Sequence, residues 1–368
     1  MNVSLNFTYN ITINLTRPWS PLISLESLTE WFIVSLIICV LGTLSYIVLF
    51  LIIFSEKSLH KGTGVLMMHL ILTEALLATV HFYLFCADVF RVQTGSTSNR
   101  RYCYYSMFTY WVTLFASNWS AAFLAINRLV AVARPHFYRH LTSRTMRASM
   151  VASSWLFGLG AAAPIAAGVG GRFDSMPPLG ACGIVRTRLQ PQTEHVYDGV
   201  TTVGMYLPLG LTLSIYIGLF TVMKSNYGQK KLTNQVQTSA DQNAGRTISR
   251  RLVMARMLFA SSIWYCLCFY PIPIMMAIVP QIFAKHPMAL LWLRTLLFTG
   301  FSTKPIMYYT LNAEYRDTLR KICRPVVPAA SPSTPAHMSH TTVQAVQPSE
   351  ATVNPAFSSV NPPHDIKL

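Results

Sequence analysis

The sequence predicts an all-α fold: a seven-transmembrane helix bundle with a short amphipathic eighth helix. Three observations predict it. Only 11% of the 368 residues are charged while 52% are hydrophobic, against roughly 25% charged in an average soluble protein. The apolar residues gather into seven long runs. The basic residues sit almost entirely between those runs, as a membrane protein places them. Collagen, coiled coil, disulfide miniprotein and wholly disordered chain are excluded by the same composition. A net charge of +16 invites a nucleic-acid reading, but these cations flank apolar runs instead of forming one basic face. No nucleic-acid partner is expected.

A helix needs about 20 apolar residues to cross roughly 30 Å of hydrocarbon. The candidates are Trp31–Phe54, Gly64–Ala87, Cys103–Ala133, Ala148–Val169, Val196–Met223, Leu252–Val279 and Pro287–Thr310. The third is the least apolar and the seventh is weakly bounded. Lipid supplies no hydrogen bonds, so each run is expected to be helical. Pro164, Pro208, Pro271 and Pro305 lie well inside four of them. Kinks are expected there, with neighbouring helices serving the freed carbonyls.

Residues 1–30 are polar and carry sequons at Asn2, Asn6, Asn10 and Asn14, which point to a glycosylated extracellular terminus. The start of the chain lacks the basic-then-apolar pattern of a cleaved signal peptide, so the first run reads as an uncleaved signal anchor. Seven crossings then leave the C-terminus in the cytoplasm. The cations agree independently: nineteen Lys and Arg fall on the inner segments and nine on the outer ones, as the positive-inside rule requires. The expected organisation is 1–30 outside, 31–310 the bundle, 311–323 the amphipathic helix and 324–368 a disordered cytoplasmic tail rich in Pro, Ser, Thr and Ala. No Gly-rich phosphate loop, HExxH or Gly-x-Ser-x-Gly occurs, so no enzyme is expected. CxxC pairs and zinc-spaced Cys/His clusters are also missing, so neither metal nor cofactor is expected. Of the seven cysteines, only Cys103 and Cys182 lie at predicted outer edges.

The spacings of several motifs resemble the rhodopsin-like (class A) G protein-coupled receptors, from about Ser35 to Cys323. Cys103 opens the third span and Asn127-Arg128-Leu129 closes it. Trp155 lies in the fourth span and Cys182 in the second outer loop. Pro208 and Tyr216 stand in the fifth span. Cys268-Phe269-Tyr270-Pro271 resembles Cys-Trp-x-Pro, and Lys304-Pro305-Ile306-Met307-Tyr308 resembles Asn-Pro-x-x-Tyr. Within the family, Phe115–Pro135 looks closest to melatonin-receptor-like and related orphan receptors.

The resemblance implies a disulfide between Cys103 and Cys182, which an oxidising outer face would preserve. It implies that Arg128 meets a heterotrimeric G protein when the sixth span moves, with Tyr216 and Tyr308 approaching it. Most relatives place an acid before that arginine and often another at the base of the sixth span. Here stand Asn127 and the pair Arg250 and Arg251. Charge-assisted hydrogen bonds are about twice as strong as neutral ones, so a weak lock and raised basal signalling are expected. Phe269, Pro271 and Tyr265 take the place of the family's switch.

Glu74 and Lys304 are ionisable groups well inside spans, which are functional by default. They replace the residues that hold sodium in this family. The resemblance implies a collapsed sodium site, with the ammonium where the ion would sit and Ser117 as a third neighbour. Otherwise Lys304 bends to water and Glu74 is protonated. A different class of reading is a proton- or ion-coupled transporter using the two as a relay, which leaves the motif spacings unaccounted for. An opsin is not expected, since its Schiff-base lysine corresponds to Phe298.

The ligand site is expected in the outer half of the bundle. Tyr110 replaces the aspartate that binds amines. Its expected neighbours are Trp111, Leu114, Ile272, Met276, Asp88 and Arg294. Arg294 either binds a ligand anion, with Arg172, Arg186 or Arg188 from the outer loop, or pairs with Asp88. The ligand expected is an amphipathic acid, an indole-like small molecule or a peptide. At the inner face the partners expected are a G protein, arrestin and receptor kinases acting on tail Ser and Thr, and anionic membrane lipid. Cys323 is either palmitoylated or a bare thiol.

Overall fold

The computed structural model describes residues 23–55, 64–96, 99–133, 138, 140–176, 181–185, 194–232, 239–279 and 282–323, without the side chains of 132, 176, 194, 222–252, 277, 283–284 and 323. The four sequons, Arg186, Arg188 and the tail lie outside the described residues, as do the side chains of Arg250, Arg251 and Cys323.

The seven expected helices are present, and their ends follow local chemistry. α1 (Leu25–Ser55) starts ahead of the expected Trp31, so the 30/31 boundary cuts a helix. The Ser24 hydroxyl accepts from the Ser27 amide at 3.2 Å and caps it. α2 spans Gly64–Gln93 with a wide π turn at Leu77–His81. α3 is Arg100–Ala133. α4 is Arg144–Ala166, capped by Ser143 and ended short of Val169, where Gly168 turns at φ +82. An antiparallel hairpin follows, β1 (Arg172–Met176) on β2 (Ala181–Val185), with Ser175 opposite Cys182. α5 runs as Glu194–Thr201, a second π turn Thr202–Tyr206, and Leu207–Leu232. α6 is Ser239–Phe269, resuming after Tyr270 as Pro271–Ile278. α7 is Pro287–Ser302 and then Lys304–Leu311. α8 is Ala313–Cys323, not from Leu311, because Asn312 is extended and its Oδ1 accepts from the Glu314 amide at 3.0 Å.

α1 shows what solvent the bundle needs. Its outer face is Ile33, Ile37, Leu41, Leu44, Ile47 and Leu51, all exposed. Its inner face is Trp31, Ser35, Cys39, Gly42, Tyr46, Leu49 and Ile53, all buried. Both stripes have helical spacing, yet the polar atoms point inward. That is the polarity of a helix in lipid. Five of the helices are individually long and apolar enough to cross a membrane. α3 and α7 are the other two. α3 is the central element, packed on α2, α4, α5, α6 and both strands. It carries the buried Ser117, Asn118, Ser120 and Asn127, which lower its hydropathy. α7 is divided at Thr303.

The prolines explain two long-range contacts. Pro208 cannot donate to the carbonyl of Gly204, one turn earlier. Asn118 Nδ2 of α3 donates to that carbonyl at 3.2 Å. Gly204 must stay a glycine, because a Cβ there would enter the Phe115 ring. Pro305 likewise frees the Phe301 carbonyl, and the Tyr46 hydroxyl of α1 donates to it at 3.0 Å. The π turn of α2 leaves the Ala78 and Thr79 carbonyls facing the Cys39 thiol, at 3.8 and 3.6 Å.

Tyr46→Phe should therefore lower stability by about 1–3 kcal/mol, the cost of one buried unsatisfied acceptor. Thermal denaturation of the purified protein in detergent measures it. In a Pro305→Ala background the penalty should shrink toward zero, because an alanine at that position restores a backbone N–H for the Phe301 carbonyl.

Candidate functional site

The buried polar core lies between α2, α6 and α7. No acid occurs between Asp241 and Glu314, so the apolar stretches of α6 and α7 hold none. A cation on either stretch must find its counter-charge elsewhere. Lys304, at the first position after the α7 break, donates to Glu74 Oε1 of α2. Both residues are buried, at 6% and 1% exposure. Tyr308 donates to the other carboxylate oxygen at 3.1 Å. The Lys304 ammonium lies 5.0 Å from the Tyr265 ring centre and 5.2 Å from that of Phe301, a cation–π geometry. Lys304 therefore does not bend to water.

A hydroxyl that the sequence reading did not assign to the pair joins it, that of Tyr308 on Glu74. Ser117 is buried on α3. The i,i+4 spacing of Lys304 and Tyr308 puts both on one helix face, a signal that was open to a sequence reader.

Above this core Tyr265 stacks on Phe269 at 5.7 Å and meets Phe301 at a tilt, with ring centres 5.1 Å apart. Phe269 also faces Tyr206 of α5 at 6.4 Å. Tyr265, which stacks on Phe269 beside the Pro271 break, thus lies directly against the cation.

At the inner end of α3, Arg128 is buried and its Nη2 lies 3.3 Å from the Met254 sulfur of α6. Asn127 is fully buried, and neither polar atom of its amide has a hydrogen-bond partner among the described residues. The neutral bond from Asn127 that the sequence allowed is not made. Tyr216 is buried against Phe259 at 6.1 Å. Below, Tyr315 of α8 is buried within electrostatic reach of Arg128, and burial pushes its phenol up to about 12.

The outer end is built on the hairpin. Cys103 and Cys182 form the expected disulfide, tying β2 to the first turn of α3. Phe173 of β1 is buried against Tyr104 and Phe108. Asp174 joins Arg172 at 3.2 Å and Arg100 at 3.6 Å. Asp88 is buried, accepts from the Cys182 amide at 3.3 Å and pairs with Arg91 at 3.1 Å. The open alternative of an Asp88–Arg294 pair is therefore not realised, because Asp88 faces the hairpin. Arg294 instead lies over Phe85, 5.3 Å from the ring centre.

Of the ligand residues expected, Tyr110, Trp111 and Arg294 come together. Tyr110 meets His81 at 5.7 Å, Trp111 at 6.1 Å and Phe298 at 6.0 Å. Tyr110 and Tyr197 are within electrostatic reach of Arg294. Ile272 is partly buried, Leu114 is core packing and Met276 is exposed. The sequence reading missed Phe85, Phe82 and Phe298, which form one stack at 5.7 and 4.7 Å. Nothing in an apolar helix distinguishes a site phenylalanine from a core one.

The model of the family described as 7 transmembrane receptor (rhodopsin family) matches residues 45–308. The rat (Rattus norvegicus) 5-hydroxytryptamine receptor 5B is 23% identical over 240 residues, covering 56% of this chain and 61% of the relative. Its mouse (Mus musculus) counterpart is 24% identical with the same coverage. The chain thus spans about three fifths of the length of these relatives. Among solved structures, squid rhodopsin superposes with a TM-score of 0.70 at 14% identity, covering 81% of this chain and 86% of that one. At that identity the likeness is one of fold.

Lys304→Ala should cost about 3–5 kcal/mol, since it leaves a carboxylate buried without its charge partner. The double change Glu74→Gln, Lys304→Met should cost less than either single change. Thermal denaturation of the variants decides this. Replacing sodium chloride by potassium chloride should leave the wild-type melting temperature unchanged, because Glu74 is already paired with the Lys304 ammonium.

Proposed function

The chain belongs to the rhodopsin family of seven-transmembrane receptors, and on that premise we propose that it binds an extracellular ligand and activates a heterotrimeric G protein. It is a member of a receptor class without enzymatic chemistry. It sits in the plasma membrane with residues 1–30 outside, the bundle at 31–310 and the amphipathic helix and tail in the cytoplasm. Its tail engages receptor kinases and arrestin, and its basic inner face meets anionic lipid. The Asn127-Arg128 pair is the feature that aligns it with melatonin-type receptors.

The observation that carries the reading is the unbroken contact chain from the outer half to the inner half. Phe269 stacks on Tyr265, Tyr265 meets the Lys304 ammonium, Lys304 pairs with Glu74, and Glu74 holds Tyr308. A ligand that shifts α6 at the Pro271 break moves Tyr265 against a buried cation. Loosening Lys304 weakens the hold of Glu74 on Tyr308 and frees it toward Arg128. Packed cores have discrete arrangements, so such a shift propagates as a switch.

The inner lock supports raised basal activity. Relatives commonly place an acid before this arginine, whereas this chain has Asn127, whose amide has no hydrogen-bond partner among the described residues. The ligand is an amphipathic acid, an indole-like molecule or a peptide, bound by Tyr110, Trp111, Ile272, Met276 and Arg294 below the hairpin. The curated relatives are named for an amine, 5-hydroxytryptamine. Tyr110 offers no negative charge to an amine. Asp88, the acid buried nearest the hairpin among the described residues, is taken by Arg91 and the Cys182 amide.

Nucleotide exchange on purified G proteins, catalysed by the receptor in lipid nanodiscs without ligand, tests the reading. Exchange should exceed that of empty nanodiscs and vanish in Arg128→Ala. Asn127→Asp should reduce it roughly tenfold, as about 1.4 kcal/mol gained from a charge-assisted bond predicts. Equal exchange in Asn127→Asp and wild type would remove the weak-lock argument.

A further inference from the structure

We propose that Arg294 is the anchor of a binding site for an organic monocarboxylate with an aromatic body. This rests on the receptor reading above and narrows its ligand to one charge and one shape.

The charge balance of the outer half leads there. Glu26 and Glu30 are exposed at the start of α1. Asp88 pairs with Arg91 and the Cys182 amide. Asp174 bridges Arg100 and Arg172. Asp198 of α5 is exposed, and the side chain of Glu194 lies outside the described residues. Among the described residues, no carboxylate lies within ion-pair distance of Arg294, and the apolar stretches of α6 and α7 contain none to offer. The contrast with Lys304, further along the same helix, is instructive. That ammonium has a dedicated carboxylate reaching across from α2. Arg294 has only the face of Phe85 and the phenols of Tyr110 and Tyr197. A guanidinium drawn away from water without a counter-charge is costly, and an incoming anion relieves that cost.

The geometry selects among anions. Guanidinium presents two parallel N–H groups that match a carboxylate in one plane. Tyr110 and Tyr197 add hydroxyl donors beside it. The wall below is aromatic: Phe85, Phe298 and Phe82 in one stack, with Tyr110 against Phe298. A ring on the carboxylate packs against that wall, where offset and edge contacts are favourable. A protonated amine is repelled by Arg294, the reverse of the preference that the curated relatives' name implies for them.

The test uses indole-3-propionic acid, its primary amide and tryptamine as probes on the receptor in nanodiscs, read by thermal shift without any G protein. The acid should raise the melting temperature of the wild type, and the amide and the amine should not. Arg294→Gln should weaken the response to the acid at least tenfold, as loss of a charge-assisted pair implies, and Arg294→Lys should keep part of it. The unliganded melting curves of both variants report that they fold. Equal shifts by acid and amide, an undiminished acid response in Arg294→Gln, or no acid shift at about 1 mM, the weak end of measurable affinity, each overturns the proposal. Acid binding without any effect on nucleotide exchange would instead sink the signalling reading and leave the site standing.

Discussion

Lipid offers no hydrogen bonds, so a donor, acceptor or charge that faces inward is costly unless another part of the chain answers it. That constraint explains contacts that otherwise look unrelated. Prolines in α5 and α7 each release a carbonyl, and Asn118 and Tyr46 reach from other helices to take them. A lysine in α7 demands a carboxylate, and α2 supplies Glu74. These bonds hold kinked helices at fixed rotations about their axes, which apolar packing in lipid alone does not do. Lipid chains are as apolar as the side chains they touch, so shape and polar matching decide the arrangement.

The same constraint makes the core responsive. Lys304 is held by one carboxylate and two ring faces, and one of those rings, Tyr265, stacks on Phe269 beside the helix break. A buried ion pair does not need to add net stability, because desolvation offsets attraction. Its role here is registration: it specifies how α2, α6 and α7 meet. Where a sodium ion could exchange with the medium, a tethered ammonium cannot leave.

The two ends of the bundle solve the constraint differently. At the outer end the hairpin is fastened by a disulfide, by Phe173 in an aromatic notch and by Asp174 between two arginines. Its anchoring engages Asp88 and Asp174, and among the described residues no carboxylate pairs with Arg294. At the inner end Arg128 rests on the Met254 sulfur and the Asn127 amide stays unanswered among the described residues.

The seven helices, their order and the disulfide partners were legible in the primary structure, because apolar length, proline positions and motif spacing are properties of the chain read in one direction. The likeness to a receptor family was legible for the same reason, as were Glu74 and Lys304, since a charge inside an apolar run stands out without coordinates. Helix ends were less so: Ser24, Gly168 and Asn312 set them through caps and turns a residue or two wide. The hairpin was missed, having no apolar run to announce it. Only the tertiary structure decided pairings. It gave Tyr308 to Glu74, Asn118 to the Gly204 carbonyl, and Phe85 to Arg294. Each of those choices depends on the rotation of one helix against another, and that rotation comes from packing among many side chains at once, which no local pattern along a strand of letters contains.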